Sequence, residues 1–274
     1  MTDESPVEGS PIPRHIDTSV PHAARMWNYW LGGKDHYPVD RQYGDQFSKD
    51  FPEIVRIAQL SRHLLARIVR YLVREQGIRQ FLDIGTGLPT VDNTHELAQQ
   101  ADPASRVVYV DNDPLVLVHA RALLVGTREG ATDYIEADLR DPDAILAGAS
   151  KTLDFGQPVA LMLMGIMGYV RDDEGPKEIV ARLMERLAPG SYLALWDGVN
   201  LVTGQALDQA QENYNEGGGV PYNLRDEGRF TAFFDGLDLV EPGVVSLPQW
   251  RPDPDPFQDS TERVDALCGV ARKR

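Results

Sequence analysis

The stretch Gln80-Phe81-Leu82-Asp83-Ile84-Gly85-Thr86-Gly87-Leu88-Pro89-Thr90 decides the fold class. An apolar run that ends in an acid and then Gly-x-Gly is how a buried strand turns into a nucleotide-binding loop. The glycines admit positive φ and let the backbone approach a ligand that any Cβ would repel. A dinucleotide fingerprint needs a third glycine at the sixth position of the motif, and that position is Thr90, with Pro89 stiffening the exit from the turn. The mismatch turns the reading away from NAD and from a nicotinamide-linked oxidoreductase.

Outward from this loop, strands and helices alternate as in a parallel sheet with covering helices. Arg79 to Asp83 reads as the first strand, Arg106 to Asp111 as the second and Asp133 to Asp138 as the third. Val159 to Ile166, a continuous apolar run, suits a sheet centre buried on both faces. A helix from Glu178 to Leu187, the stop Pro189-Gly190 and a strand from Ser191 to Trp196 complete a further unit. Beyond helical stretches near 204 to 214 and 225 to 235, Leu237 to Leu247 and Val264 to Ala271 read as two closing strands joined by a proline-rich loop, 248 to 256. Upstream, Ile57, Leu60, Leu64, Ile68 and Leu72 recur at helical spacing in an amphipathic helix that ends near Gln76-Gly77. Residues 23 to 43 mix aromatics, basic residues and glycines, a composition that fits a helix followed by a glycine turn. The polar, acidic, proline-rich residues 1 to 13 read as a disordered tail. The division is therefore a tail at 1–13, an N-terminal helical cover at 14–77 and a ligand-binding domain at 78–274.

The 274 residues include 42 acidic and 27 basic side chains, a net charge of -15 that disfavours nucleic acid as a partner. The single cysteine, Cys268, excludes an intramolecular disulfide, and its apolar setting reads as a buried strand, so the cytoplasm is the expected compartment. The longest apolar run, Val159 to Val170, is too short to span a bilayer, so no membrane is expected. His22, His36 and His63 lack ligand spacing with a cysteine or a second histidine, so no metal is expected.

Three acids, Asp83, Asp111 and Asp138, stand at the ends of successive expected strands, where open α/β sheets bind ligands. A carboxylate at Asp111 can accept from two ribose hydroxyls, although Asn112 or Asp113 could face the ligand instead. Proline follows Asp113 immediately, which favours a helix cap there. Asp138 can accept from an adenine amino group or serve as a loop acid before Arg140-Asp141-Pro142. Asp83 can hold the glycine loop through backbone N–H groups or take a ligand amine, and either role needs the ionised form.

In the order Phe81 to Gly87, Val110 to Pro114 and Glu136 to Leu139, the chain resembles the Rossmann-like S-adenosylmethionine-dependent methyltransferases. That class implies a seven-stranded α/β sheet, mostly parallel with an antiparallel last strand, and helices on both faces; here an N-terminal helical extension precedes it. More narrowly, Ile16 to Lys273 resembles an actinobacterial family labelled S-adenosyl methyltransferase and long carried as a domain of unknown function. The shared marks are Asp17-Thr-Ser-Val-Pro21, Leu31-Gly-Gly-Lys34, Gln80 to Thr90, Tyr109 to Pro114, Phe233-Phe-Asp-Gly-Leu237 and Trp250-Arg-Pro252.

The resemblance implies S-adenosylmethionine as cofactor, with Asp83, Gly85, Thr86 and Gly87 beside its methionine part, Asp111 and Asn112 at ribose, and Asp138 with Leu139 around adenine. The loop from Met164 to Tyr169 would lie near the sulfonium. Many members of the class carry a polar or aromatic residue in this loop to orient the acceptor, whereas this chain has Gly168, which leaves Tyr169 as the nearest substitute for a catalytic base. Methyl transfer needs alignment and exclusion of water more than a dedicated base, so the protein must provide a cover. The segment from Arg25 to Tyr37 is the candidate: Lys34 or Arg25 could meet the cofactor carboxylate, and Tyr29 and His36 belong to the same wall. Alternatively, Trp27, Tyr29 and Trp30 simply pack the extension on the domain. A small-molecule acceptor suits an acidic protein with such a cover; the alternative is a non-catalytic S-adenosylmethionine-binding or regulatory protein.

Overall fold

The computed structural model describes residues 17–90, 92–123, 126–217, 220–253 and 261–274; the expected disordered tail at 1–13 lies outside them. Three helices come first, α1 (Ala23–Trp30), α2 (Pro38–Asp50) and α3 (Glu53–Arg74). Strands and helices then alternate through β1 (Gln80–Ile84), α4 (Thr94–Ala101), β2 (Arg106–Asp111), α5 (Pro114–Leu123), β3 (Ala131–Glu136), α6 (Pro142–Ala149), β4 (Ala160–Met164), α7 (Pro176–Glu185) and β5 (Tyr192–Gly198). The chain closes with α8 (Gln205–Glu216), α9 (Glu227–Thr231), β6 (Asp238–Leu239), β7 (Val245–Ser246) and β8 (Ala266–Arg272).

The sheet order is β3-β2-β1-β4-β5-β8-β6, with β7 also paired to β8. Strands β1 to β5 are parallel, and β8 runs antiparallel between β5 and β6. This is the expected methyltransferase-like sheet, corrected first at its closing edge. The segment 237–247 is not one strand but two, β6 and β7, each pairing with β8. Pro242 has no N–H to give a ladder and Gly243 takes φ +86, so the segment turns between them.

The third strand also ends earlier than expected, at Glu136, and Asp138 stands two residues past it. There the Asp138 Oδ1 accepts the Arg140 N–H at 2.9 Å, which bends the chain toward α6. The fourth strand stops at Met164 because Gly165 adopts φ +81 while its N–H reaches the Trp196 carbonyl at 2.9 Å.

Side-chain alternation along the central strands builds a core on each face. Phe81, Val107, Met162 and Ala194 meet Leu60, Leu64, Ile68 and Leu72 of α3, while Leu82, Val108, Leu161 and Leu193 meet Ile145 of α6 and Val180 and Leu183 of α7. Buried Arg67 of α3 donates to the carbonyls of Trp250 (3.0 Å) and Leu247 (2.7 Å), which ties the N-terminal helices to the C-terminal segment. Cys268 is buried in β8, as its setting implied. Among the described residues no helix is long and apolar enough to cross a membrane.

Candidate functional site

The carboxyl ends of β1, β2, β4 and β5 open beneath α1, and the glycine loop lies there. Gly85 has φ +75, and a Cβ on it would fall 2.5 Å from Cγ1 of Ile166. Gly87 has φ +63, and among the described residues a Cβ on it would meet nothing within 4 Å, so it would project into open space. The acid that holds this loop is Asp111, whose Oδ2 accepts the Gly87 N–H at 3.0 Å while Oδ1 accepts the Asp113 N–H at 2.9 Å. Each oxygen keeps a further lone pair. Burial raises the Asp111 carboxyl, and the two amides work in the opposite direction.

Asp83 does not hold the loop, contrary to one of its two expected roles. It is buried and accepts the Thr94 hydroxyl at 2.6 Å. Burial pushes its carboxyl up to about 6, against the opposing pull of Thr94 and the Arg62 guanidinium. Asp113 caps α5 through the Leu115 N–H at 2.9 Å, as the following proline implied. At Asp138, burial works upward, but the Arg140 amide, the Asn112 side chain (3.2 Å) and the Arg140 guanidinium prevail and hold the carboxyl below its ordinary range.

These residues border three adjoining clefts. The first, of about 900 Å³, carries Asp111, Asn112, Asp138 and Leu139 with Gly85, Gly87 and Met164. The second carries Asp83, Thr86, Ser61 and Arg62, again beside both glycines and Met164. All nine residues expected at a cofactor therefore face one of two neighbouring clefts. The third, of about 640 Å³, is walled by Trp27, Trp30, Phe47, Phe51, Trp196, Tyr214 and Tyr222. Trp27 borders all three, tilted against Trp196 with ring centroids 5.9 Å apart.

Helix α1 does border the clefts, through other side chains than those expected. Helical phase turns Ala23, Met26, Trp27 and Trp30 toward the clefts, which leaves Arg25 and Tyr29 on the opposite side of α1. Buried Arg25 donates to Asp40 Oδ1 (3.1 Å), to the Asp17 carbonyl (3.0 Å) and to the Val20 carbonyl, so it fastens the N-terminal segment. Tyr29 bonds Asp45, the His36 ring bonds the Gly33 carbonyl at 3.1 Å, and Lys34 is exposed on the turn after α1. None of these four lines the clefts. The cation beside the second cleft is Arg62 of α3, whose Nη2 donates to the Asp92 carbonyl at 2.7 Å.

Tyr169 stands between the first and third clefts in a short 3-10 turn. Burial keeps its phenol well above the ordinary value, so it stays protonated near pH 7. The glycine at 168 also has a physical reason: a Cβ there would lie 2.2 Å from Cζ of Tyr222. A tyrosine from far along the chain fills the space that a side chain of this loop would take. Among the described residues no group of three or more His, Cys, Asp or Glu side chains could hold a metal ion.

The model of a family described as S-adenosyl methyltransferase matches residues 10–274. A DUF574 family protein from Streptomyces avermitilis is 43% identical, with TM-score 0.89 over 95% of this chain and 100% of that one. A candidate methyltransferase from Thermobifida fusca is 39% identical, with TM-score 0.85 over 94% of this chain and 97% of that one. An O-methyltransferase family protein from Burkholderia thailandensis shares the fold, at TM-score 0.51 and 13% identity over 80% of this chain and 59% of that one. A comparison with curated proteins finds no match.

Proposed function

The chain belongs to the S-adenosyl methyltransferase family, an S-adenosylmethionine-dependent one, and on that premise we propose that its acceptor is a small, largely apolar molecule held in the aromatic cleft. The observation that carries this reading is the convergence of three chemically different clefts on Trp27. S-adenosylmethionine supplies a methyl group on a cationic sulfur, and the residues present fit its parts.

The spare lone pairs of Asp111 suit the ribose hydroxyls, with Asn112 beside them, while Asp138 and Leu139 border the space for adenine. In the second cleft Asp83 faces the methionine amine and Arg62 the carboxylate, the part first assigned to Arg25 or Lys34. Gly85, Thr86, Gly87 and Met164 form the floor on which the two parts join. Trp27, Tyr169 and Trp196 then stand where the clefts meet, with aromatic faces that favour a cation and exclude water.

Helices α1, α2 and α3 act as the cover over the 78–274 domain. They enclose the third cleft with Trp30, Phe47 and Phe51, a wall that suits a compact apolar acceptor and offers little to a long phosphate backbone. The net charge of -15 argues the same way. The test is formation of S-adenosylhomocysteine with a panel of planar hydroxylated aromatic compounds, beside transfer RNA, plasmid DNA and a peptide mixture. Turnover with members of the small-molecule panel supports the reading. Turnover confined to the macromolecules overturns it.

A further inference from the structure

We propose that Tyr222 receives the proton of a hydroxylated acceptor in the aromatic cleft and passes its own proton to Asp197 behind it, so that the pair is the base of the transfer. This rests on reading the third cleft as the acceptor site.

Tyr222 is a built-in part of that wall. Asn215 fixes its backbone, accepting the Tyr222 N–H at 3.0 Å and donating to its carbonyl at 3.1 Å. The next residue, Asn223, donates its backbone N–H to the Gly168 carbonyl at 2.8 Å. The ring lies over Gly168 and meets Tyr169 edge-on, with centroids 4.9 Å apart. Its hydroxyl accepts the Gly198 N–H at 2.9 Å and donates to Oδ1 of Asp197. A phenol oxygen has two lone pairs, so one is left for a donor in the cleft.

Asp197, 4% exposed at the end of β5, makes no hydrogen bond of ordinary geometry through Oδ2 among the described residues. The groups that face it are Tyr222, Tyr169, the Gly168 and Gly198 amides, and Arg225, which is tied to the Met167 carbonyl (2.7 Å), the Val170 carbonyl and Asp172. Burial raises the Asp197 carboxyl to about 6, which makes it a better proton acceptor than an ordinary aspartate, and burial likewise keeps Tyr222 protonated. The other carboxylate at this cleft, Asp265, is committed: its oxygens accept the amides of Leu201, Val202 and Thr203 and the Thr203 hydroxyl. Among the described lining residues, Tyr222 is thus the hydroxyl with a carboxylate in reserve.

The step balances. As the methyl carbon bonds to the acceptor oxygen, the carbon–sulfur bond breaks and its electron pair stays on sulfur. The acceptor proton moves to Tyr222 Oη, and the Tyr222 proton moves to Asp197 Oδ1. A sulfonium and a carboxylate become a thioether and a carboxylic acid, so two charges vanish inside a buried site.

The probe pair is 2-naphthol and its isostere 2-methylnaphthalene, each titrated with S-adenosylhomocysteine at saturation. Roughly three- to tenfold tighter binding of the naphthol is expected in the wild type, and none of that preference in Tyr222→Phe. Excited naphthol is a strong acid, so the bound probe should emit as naphtholate in the wild type and as neutral naphthol in Tyr222→Phe and Asp197→Asn. Failure of the wild type to bind S-adenosylhomocysteine would defeat the cofactor assignment itself. If that ligand binds, failure of both probes to bind defeats the acceptor-cleft reading and the relay with it, and two results overturn the relay alone: no preference for the hydroxyl, or neutral emission in the wild type. Should Tyr222→Phe fail to fold, the emission from Asp197→Asn decides, and unchanged naphtholate emission there overturns the relay.

Discussion

Gly168→Ala tests the architecture of the acceptor cleft without reference to turnover. The backbone at 168 is not left-handed, so alanine fits the chain path and its only cost is steric. Its Cβ would stand 2.2 Å from Cζ and 2.3 Å from Cε2 of Tyr222, where carbon atoms need roughly 3.5 Å, so the ring must move by more than about 1 Å. The ring has little freedom to do so, because its hydroxyl is held by Asp197 and the Gly198 amide. Expulsion gives up a hydrogen bond to a charged group, about 1.5 to 3 kcal/mol, and leaves a buried amide unsatisfied at about 1 to 3 kcal/mol. A loss of about 3 to 5 kcal/mol is therefore expected, read from the urea midpoint at unchanged slope. With Tyr222→Ala as background the space is free, and the same alanine should cost less than about 0.5 kcal/mol. Equal costs in the two backgrounds would refute the packing of Tyr222 on Gly168 and, with it, the account of why this loop carries a glycine.

Asp111→Ala should weaken S-adenosylhomocysteine binding by on the order of 1.5 to 3 kcal/mol in calorimetry; unchanged affinity in a folded variant would move the ribose role to Asn112. Asp83 should oppose the stability of the ligand-free protein at neutral pH. Its folded carboxyl is raised from 3.8 to about 6, so the folded state binds the extra proton between those values and stability falls as pH rises through that window. Asp83→Asn should accordingly stabilise the ligand-free protein at pH 7 by on the order of 2 to 3 kcal/mol, with the gain fading toward pH 4 in thermal melts, and it should bind S-adenosylhomocysteine more weakly. Arg62→Ala should reduce S-adenosylhomocysteine affinity about tenfold or more, whereas Lys34→Ala should change it less than about twofold. The reverse order would return the carboxylate contact to the turn after α1.

The sheet and the residues of the two clefts proposed for the cofactor were legible in the sequence because their signals are local. A buried strand is a run of apolar residues, its exit is Gly-x-Gly, and a ligand-facing acid sits within a residue or two of a strand end; β2 ends on Asp111 as read. Even the early end of β3 did not remove Asp138 from the first cleft, because the turn held by the Arg140 amide keeps it there. Two local signals misled. Leu237 to Leu247 has strand-like composition, yet Pro242 and Gly243 divide it. In α1 the mixture of basic and aromatic residues announced a wall without saying which face it presents. That face was settled by Asp40, fully buried, which captures Arg25 and so turns Trp27 inward.

The aromatic cleft proposed for the acceptor was not legible, and the reason is where its residues come from. Arg62 lies between the core positions Leu60 and Leu64 of α3, where sequence pattern reads a charge as solvated; only the crossing of α3 over the glycine loop brings it to the second cleft. Tyr222 belongs to no periodic element, and its signal in the sequence is an absence, the missing side chain at Gly168. A glycine in a loop is ordinarily read as a turn, but here the chain path does not require one; the space does. On the proposed reading, cofactor recognition follows from residues close in sequence to the strand ends, while acceptor recognition depends on α1, α2, α3, α8 and the 220–225 segment meeting over them. If the proposed division holds, the cofactor class is written in short stretches at the strand ends and is readable from one sequence, whereas the acceptor depends on segments far apart in the chain and is not.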